Sequence, residues 1–136
     1  MGLRELTEHL VLRALVGRLE DIEALKLYLL DGLSPSEVAA RLPAFGRYGK
    51  TVVRGRIRRA VEAAGSLRLA AYALRTAYPR LLEVRSAVVK GSGYVCLLCG
   101  RRVERPLHHL RREHRDVVEG LVGELLEAVR GARGVG

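Results

Sequence analysis

Cys96 and Cys99 bracket two leucines, and His108, His109 and His114 follow. Cys-x2-Cys puts two thiolates on one knuckle, where Gly100 frees the backbone. Two histidines from a following helix then complete a tetrahedral set of sulfur and nitrogen donors, which Zn²⁺ accepts at about 2.0–2.3 Å. The spacing is Cys-x2-Cys-x9-His-x4-His with His109 as third ligand, and x8 and x5 with His108. Five positions from His109 to His114 do not align on a regular helix, so the last turn must open or tighten. A thioredoxin-type Cys-x-x-Cys sits in a strand-to-helix setting and usually holds Gly-Pro between its thiols, where this chain has Leu97-Leu98. A catalytic zinc keeps one position open. Four candidate ligands at structural spacing instead predict a closed site, one structural zinc per chain. His9 lies apart and reads as an ordinary surface residue. No carboxylate cluster, nucleophile–base pair or phosphate-cradling glycine loop is visible, so the chain reads as a binding protein and not an enzyme.

Charge points to the partner. The 136 residues carry 24 basic and 15 acidic side chains, a formal net charge of +9. Residues 1–40 hold four bases and seven acids, residues 41–115 hold 18 bases and four acids, and residues 116–136 hold two bases and four acids. Twenty-one of the bases are Arg, the side chain that forks onto phosphates and guanine edges. A GC-rich genome or a thermophilic source explains Arg over Lys but not the missing acids of the middle segment. That segment predicts a polyanion-binding surface. Arg101, Arg102, Arg105, Arg111, Arg112 and Arg115 cluster around the metal ligands.

The elements that position these groups read as helices. Leucines at helical spacing predict helices near 3–17 and 19–31, the second ended by Gly32. Ser34-Pro35-Ser36-Glu37 is a capping box with Pro at the first turn, opening a short helix that stops before Pro43. A glycine-containing loop leads to a basic helix near 50–64, ended by Gly65. On a wheel, Val53, Ile57, Ala60, Val61 and Ala64 form one stripe, opposed by Thr51, Arg54, Gly55, Arg58, Arg59 and Glu62. This is the division a recognition helix needs, with Arg54 and Arg58 one turn apart and Gly55 admitting a close backbone approach. Ser66 caps a longer helix predicted to reach about Val89, bent at Pro79. Gly91-Ser92-Gly93 breaks the chain, a small hairpin is predicted around 93–104, and a helix from about Leu107 towards Val129. Its aliphatic stripe from Val117 to Val129 must pack either on the 66–89 helix or on another chain. Residues 130–136 read as a frayed end.

Residues 22–64 resemble the helix-turn-helix of the sigma-factor region 4 and response-regulator type. Gly32, Leu33, Ser34, Glu37, Val38, Ala39, Leu42, Val53, Ile57, Arg59 and Ala60 occupy matching places. The turn is about five residues longer than usual in this chain, within Pro43 to Lys50, and Arg47 and Lys50 make it a candidate phosphate clamp. Residues 94–115 resemble the prokaryotic C2H2 zinc finger of the Ros/MucR type, whose nine-residue spacer replaces the eukaryotic one of about twelve. Cys96, Leu97, Cys99, Gly100, His109, Leu110 and His114 match that pattern. Pro106 departs from it by standing where Leu is usual, with Leu107 as the substitute for packing. The resemblance implies a ββα unit that binds DNA through its helix and neighbouring basic segments.

The expected fold is therefore mainly α. A helix-turn-helix domain (1–65) leads through a connecting helix (66–91) to a small ββα C2H2 finger with a C-terminal helix (92–136). The expected function is sequence-specific binding of double-stranded DNA, as a transcriptional regulator of a prokaryote or of its virus or plasmid. Thr51, Arg54, Gly55 and Arg58 are assigned to the major groove, and Arg47, Lys50, Arg59 and the finger arginines to phosphates. The alternatives are an RNA-binding ribonucleoprotein accessory factor and a protein-interaction adaptor with a structural zinc. Helix-turn-helix proteins commonly pair to span two half-sites, so a homodimer is expected. The longest uncharged stretch, Gly91 to Gly100, is too short for a bilayer, and the first ten residues show no secretory signal. A cytoplasmic, nucleoid-associated protein with no membrane partner and no small-molecule substrate is expected.

Overall fold

Leu10, Val11, Leu12, Ala14 and Leu15 make the second half of the first helix apolar around most of its circumference, with Arg13 its one charged residue, and such a helix must be largely buried. The computed structural model, which describes residues 2–135, places this helix (α1, Leu3–Leu15) at the centre of the molecule. All five residues are at most 3% exposed, and α2 (Leu19–Leu29), α4 (Gly49–Ala64), α5 (Leu67–Leu81), α6 (Pro106–Glu113) and α7 (Arg115–Val135) pack against it. The remaining elements are α3 (Pro35–Arg41), a 3₁₀ turn (Pro43–Phe45) and three short strands, β1 (Val88–Lys90), β2 (Tyr94–Cys96) and β3 (Arg102–Val103). The fold is mainly helical, with one antiparallel sheet in the order β1-β2-β3. Among the described residues, no helix is long and apolar enough to cross a membrane.

Local chemistry accounts for the first half. Ser34 Oγ accepts the Glu37 N–H at 3.2 Å, and Glu37 Oε1 accepts the Ser34 N–H at 3.0 Å, so the capping box forms as expected. Ala24, Leu27, Val38 and Val53 make a second, smaller core joining α2, α3 and α4, with Phe45 of the 3₁₀ turn packed onto it. The additional residues between α3 and α4 are thus absorbed by a tight turn and not by an extended loop. Gly49 lets α3 and α4 meet closely, because a Cβ there would lie 3.2 Å from the Ala39 Cβ. A buried ion network fixes the other side of α4. Asp21 Oδ2 lies 3.2 Å from Arg13 Nη1, and Asp21 Oδ1 lies 3.0 Å from Arg56 Nε, which ties α1, α2 and α4 together. Tyr78 donates to the Glu23 carboxylate, joining α5 to α2, and burial together with that carboxylate pushes the phenol up to about 12.

Three expectations are corrected. The helix predicted from Ser66 to about Val89 ends at Leu81, two residues after Pro79. The chain then turns through Glu83 N–H to Arg80 O and Val84 N–H to Leu81 O, and the β-branched pair Val88-Val89 enters the sheet, with Val88 opposite Cys96. The helix predicted over 107–129 is two helices, separated at His114, whose backbone (φ −125°, ψ 41°) leaves the helical region. Residues 130–135, expected as a frayed end, continue α7, and residue 136 lies outside the described residues. The predicted hairpin is present, with Tyr94 opposite Val103 and Val95 opposite Arg102. Of the two fates open to the α7 stripe, the structure takes the intramolecular one: Val118, Val122, Leu125, Leu126 and Val129 are buried, with α7 packed on α1 and α5.

His9 also differs from its expected surface role. Its imidazole is partly buried in α1, and burial, followed by the nearby Arg13 guanidinium, pushes it from the usual 6.5 down to about 4. The unfolded chain therefore binds a proton between these values that the folded chain refuses, so stability declines as pH falls from about 6.5 to about 4. Denaturant midpoints at pH 7 and pH 5 should show wild type losing about 1–2 kcal/mol more than His9→Gln. Equal losses in the two proteins would exclude His9 as the source.

Candidate metal centre and basic face

The metal ligands are brought together by pieces that each follow from local sequence. Gly100 adopts φ +76°, a left-handed conformation cheap only for glycine, and its N–H reaches Cys96 O at 2.7 Å to close the knuckle. Cys96 N–H bonds to Arg101 O at 2.9 Å, which holds the base of the knuckle to the strand pair. Pro106, the departure from the finger pattern, is buried at the first helical position of α6, where a missing N–H costs nothing. Leu110 is fully buried and belongs with Cys96 to the main core, so α6 presents His109 towards the knuckle. The five-residue spacing from His109 to His114 is solved by opening the chain at His114, one of the two adjustments the sequence requires.

The donor atoms of Cys96, Cys99, His109 and His114 all lie within 4.8 Å of one another. Cys96 Sγ is 3.4 Å from His114 Nε2, and Cys99 Sγ is 3.4 Å from His109 Nε2. A tetrahedral ion at sulfur and nitrogen distances of about 2.3 and 2.0 Å sets neighbouring S and N atoms about 3.5 Å apart. The cluster therefore fits one metal ion. Of the two candidate third ligands, His109 is the one that belongs to the cluster. His108 is exposed and outside the cluster, so the alternative assignment is corrected.

The centre is anchored to the helical body at two points, and a third pair ties α7, which follows it, to α1. Ala87 N–H bonds to Leu15 O at 2.7 Å and Leu97 N–H to Ala87 O at 2.8 Å, connecting the knuckle to the end of α1. Arg111 Nε lies 3.3 Å from Glu8 Oε1, linking α6 to α1. Arg4 pairs with Glu119, linking α1 to α7.

The residues proposed from sequence for nucleic-acid contact are at the surface. Thr51, Arg54, Arg58 and Arg59 are exposed along α4, while Val53, Ala60 and Ala64 of the same helix are at most 1% exposed. Gly55 is half-buried, and a Cβ there would meet nothing within 4 Å. Arg47 and Lys50 are exposed at the start of α4, as are Arg101, Arg102, Arg105, Arg111, Arg112 and Arg115 around the metal centre. Some are engaged: Arg58 lies 4.0 Å from Glu62, Arg115 lies 3.9 Å from Glu119, and Arg102 donates to Ser92 Oγ at 3.3 Å. These pairs are solvent-exposed and weak, and a phosphate can displace them. Arg59 of α4 and Arg111 of α6 line one cleft of about 530 Å³ across α1, shared with Glu5, Glu8 and Glu62. Sequence reasoning missed the buried Asp21 network. Its trace is Arg56, which stands among Val53 and Ala60 on the apolar side of α4.

No protein-family model, curated protein or solved structure matches the chain. The two motif resemblances accordingly rest on the residues quoted for them.

Proposed function

We propose that the chain is a sequence-specific double-stranded DNA-binding protein, a transcriptional regulator of a prokaryote or of its virus or plasmid. In this reading α3 and α4 are a helix-turn-helix, and Cys96, Cys99, His109 and His114 hold one structural zinc in a C2H2 finger. The observation that carries it is the division of α4. One side is sealed onto α2 and α3, and the other offers Thr51, Arg54 and Arg58 to solvent around an unfilled glycine. Arg54 and Arg58 supply the forked donors that read guanine edges, while Arg47, Lys50, Arg59 and the finger arginines neutralise phosphates. The S₂N₂ donor set suits zinc, which contributes folding free energy here and no chemistry.

Gly55 gives a test that separates binding from folding. A mid-helix glycine costs roughly 0.5–1 kcal/mol relative to alanine, and nothing inside the chain occupies the space. Gly55→Ala should therefore raise the unfolding free energy by about that amount while weakening duplex affinity severalfold. Unchanged affinity with raised stability would remove α4 from the interface.

Competition binding tests the function itself. Labelled duplex DNA, challenged with unlabelled duplex and with structured RNA, should favour duplex. Affinity should fall with salt at a log–log slope of several units. Arg58→Ala should cost about 1–3 kcal/mol. Preference for RNA would transfer the basic face to the ribonucleoprotein alternative, and no duplex binding at low salt would end the DNA reading.

A further inference from the structure

A groove of about 820 Å³ runs between the end of α2, the turn after it and the opening of α5. From it we infer a binding site for a small amphipathic carboxylate, one with a medium-chain or aromatic apolar body. Leu29, Leu33, Leu67 and Ala71 line the groove, and Leu67 is 52% exposed, so apolar surface is left facing water. Its size and lining are those of a small-molecule site. Arg68 and Arg75 are the charged residues of the lining, both exposed and neither ion-paired among the described residues. Three other clefts set carboxylates beside their arginines: Glu83 and Glu124 in one, Glu5, Glu8 and Glu62 in another, Glu104 and Glu113 in a third. This groove alone among the four is apolar and purely cationic, which selects an anion carrying an apolar body.

Tyr72 adds an independent observation. It lies between the two arginines on α5, at spacings of four and three, so the three side chains follow one stripe of the helix. Its hydroxyl is buried and, among the described residues, is the buried side-chain polar atom left without a hydrogen-bond partner. A buried hydroxyl in that state is costly, and the proposed carboxylate supplies the acceptor it lacks. The positive end of the α5 dipole, at Leu67 and Arg68, adds to the field felt by the anion. The carboxylate is placed between Arg68, Tyr72 and Arg75, with the apolar body against Leu29 and Leu33. The site stands independently of the DNA reading.

Titration of the full-length protein with decanoate at low salt, followed by amide NMR shifts, tests the inference. Saturable shifts are expected over 28–33 and 67–75, with decanol bound at least about tenfold more weakly and acetate not measurably. Arg68→Gln with Arg75→Gln should abolish the preference for decanoate over decanol, since both positions are exposed and unpaired. Tyr72→Phe should weaken decanoate severalfold while the thermal midpoint holds or rises. The inference is overturned by absence of saturation, by shifts centred on α4, by an undiminished preference in the double variant, or by a lowered midpoint in Tyr72→Phe.

Discussion

Cys96→Ser and Cys99→Ser are each expected to lose the bound metal and, with it, the fold of residues 88–114. Natively purified wild type should carry one zinc per chain by elemental analysis, and both variants essentially none. The expected effect is large because, in the proposed reading, one ion would cross-link four side chains from β2, the knuckle, α6 and its end. In zinc-finger peptides the apparent metal-binding free energy, which is also folding free energy, is about 10–16 kcal/mol. Cys96 is fully buried, so its serine also carries a desolvated hydroxyl into the core; Cys99 is exposed and isolates the metal. Both variants should lose helicity from α6, which has only eight residues and is too short to persist alone. Metal-free wild type with unchanged circular dichroism and thermal midpoint would contradict the structural role.

Asp21→Ala is the second large effect. Asp21 is 5% exposed and Arg13 8% exposed, and Arg56 shares the same carboxylate. Removing the carboxylate leaves two guanidiniums facing each other, one of them buried. Breaking a buried pair from one side costs about 3–5 kcal/mol, a large share of the stability of about 5–15 kcal/mol usual for a domain. Because Arg56 ties α4 to Asp21, the damage should also reach the proposed DNA binding under conditions where the variant is still folded. Arg58→Ala provides the contrast, since its partner Glu62 is exposed and its loss should leave the unfolding midpoint within about 0.5 kcal/mol. Urea titration of both variants checks the pair of outcomes. A loss below about 1 kcal/mol for Asp21→Ala would mean that the network is dispensable.

The Cys2His2 cluster was legible in the sequence because its four residues are close in the chain, at a spacing that suits one tetrahedral ion. The capping box and the two sides of α4 were legible for the same reason, since each is decided within a few residues. The choice of His109 over His108 was not, because it depends on which side of α6 faces the knuckle once Leu110 is buried in the core. The strand at Val88–Lys90 was hidden because helical periodicity carries past Pro79, and only pairing with Tyr94–Cys96 selects the extended form. The Asp21–Arg56 pair joins positions 35 residues apart, so the sequence shows no more than a charged residue on an apolar side. The lowered basicity of His9 likewise follows from burial beside Arg13 and not from its own neighbourhood in the chain.

Selection from a random duplex library with the metal-loaded protein, followed by sequencing, tests the central claim most directly. Enrichment of one sequence motif is predicted, with at least one base position relaxed when the selection is repeated with Arg58→Ala. A pool that remains random after several rounds, while binding still weakens with salt, would show a basic surface that holds DNA without reading it.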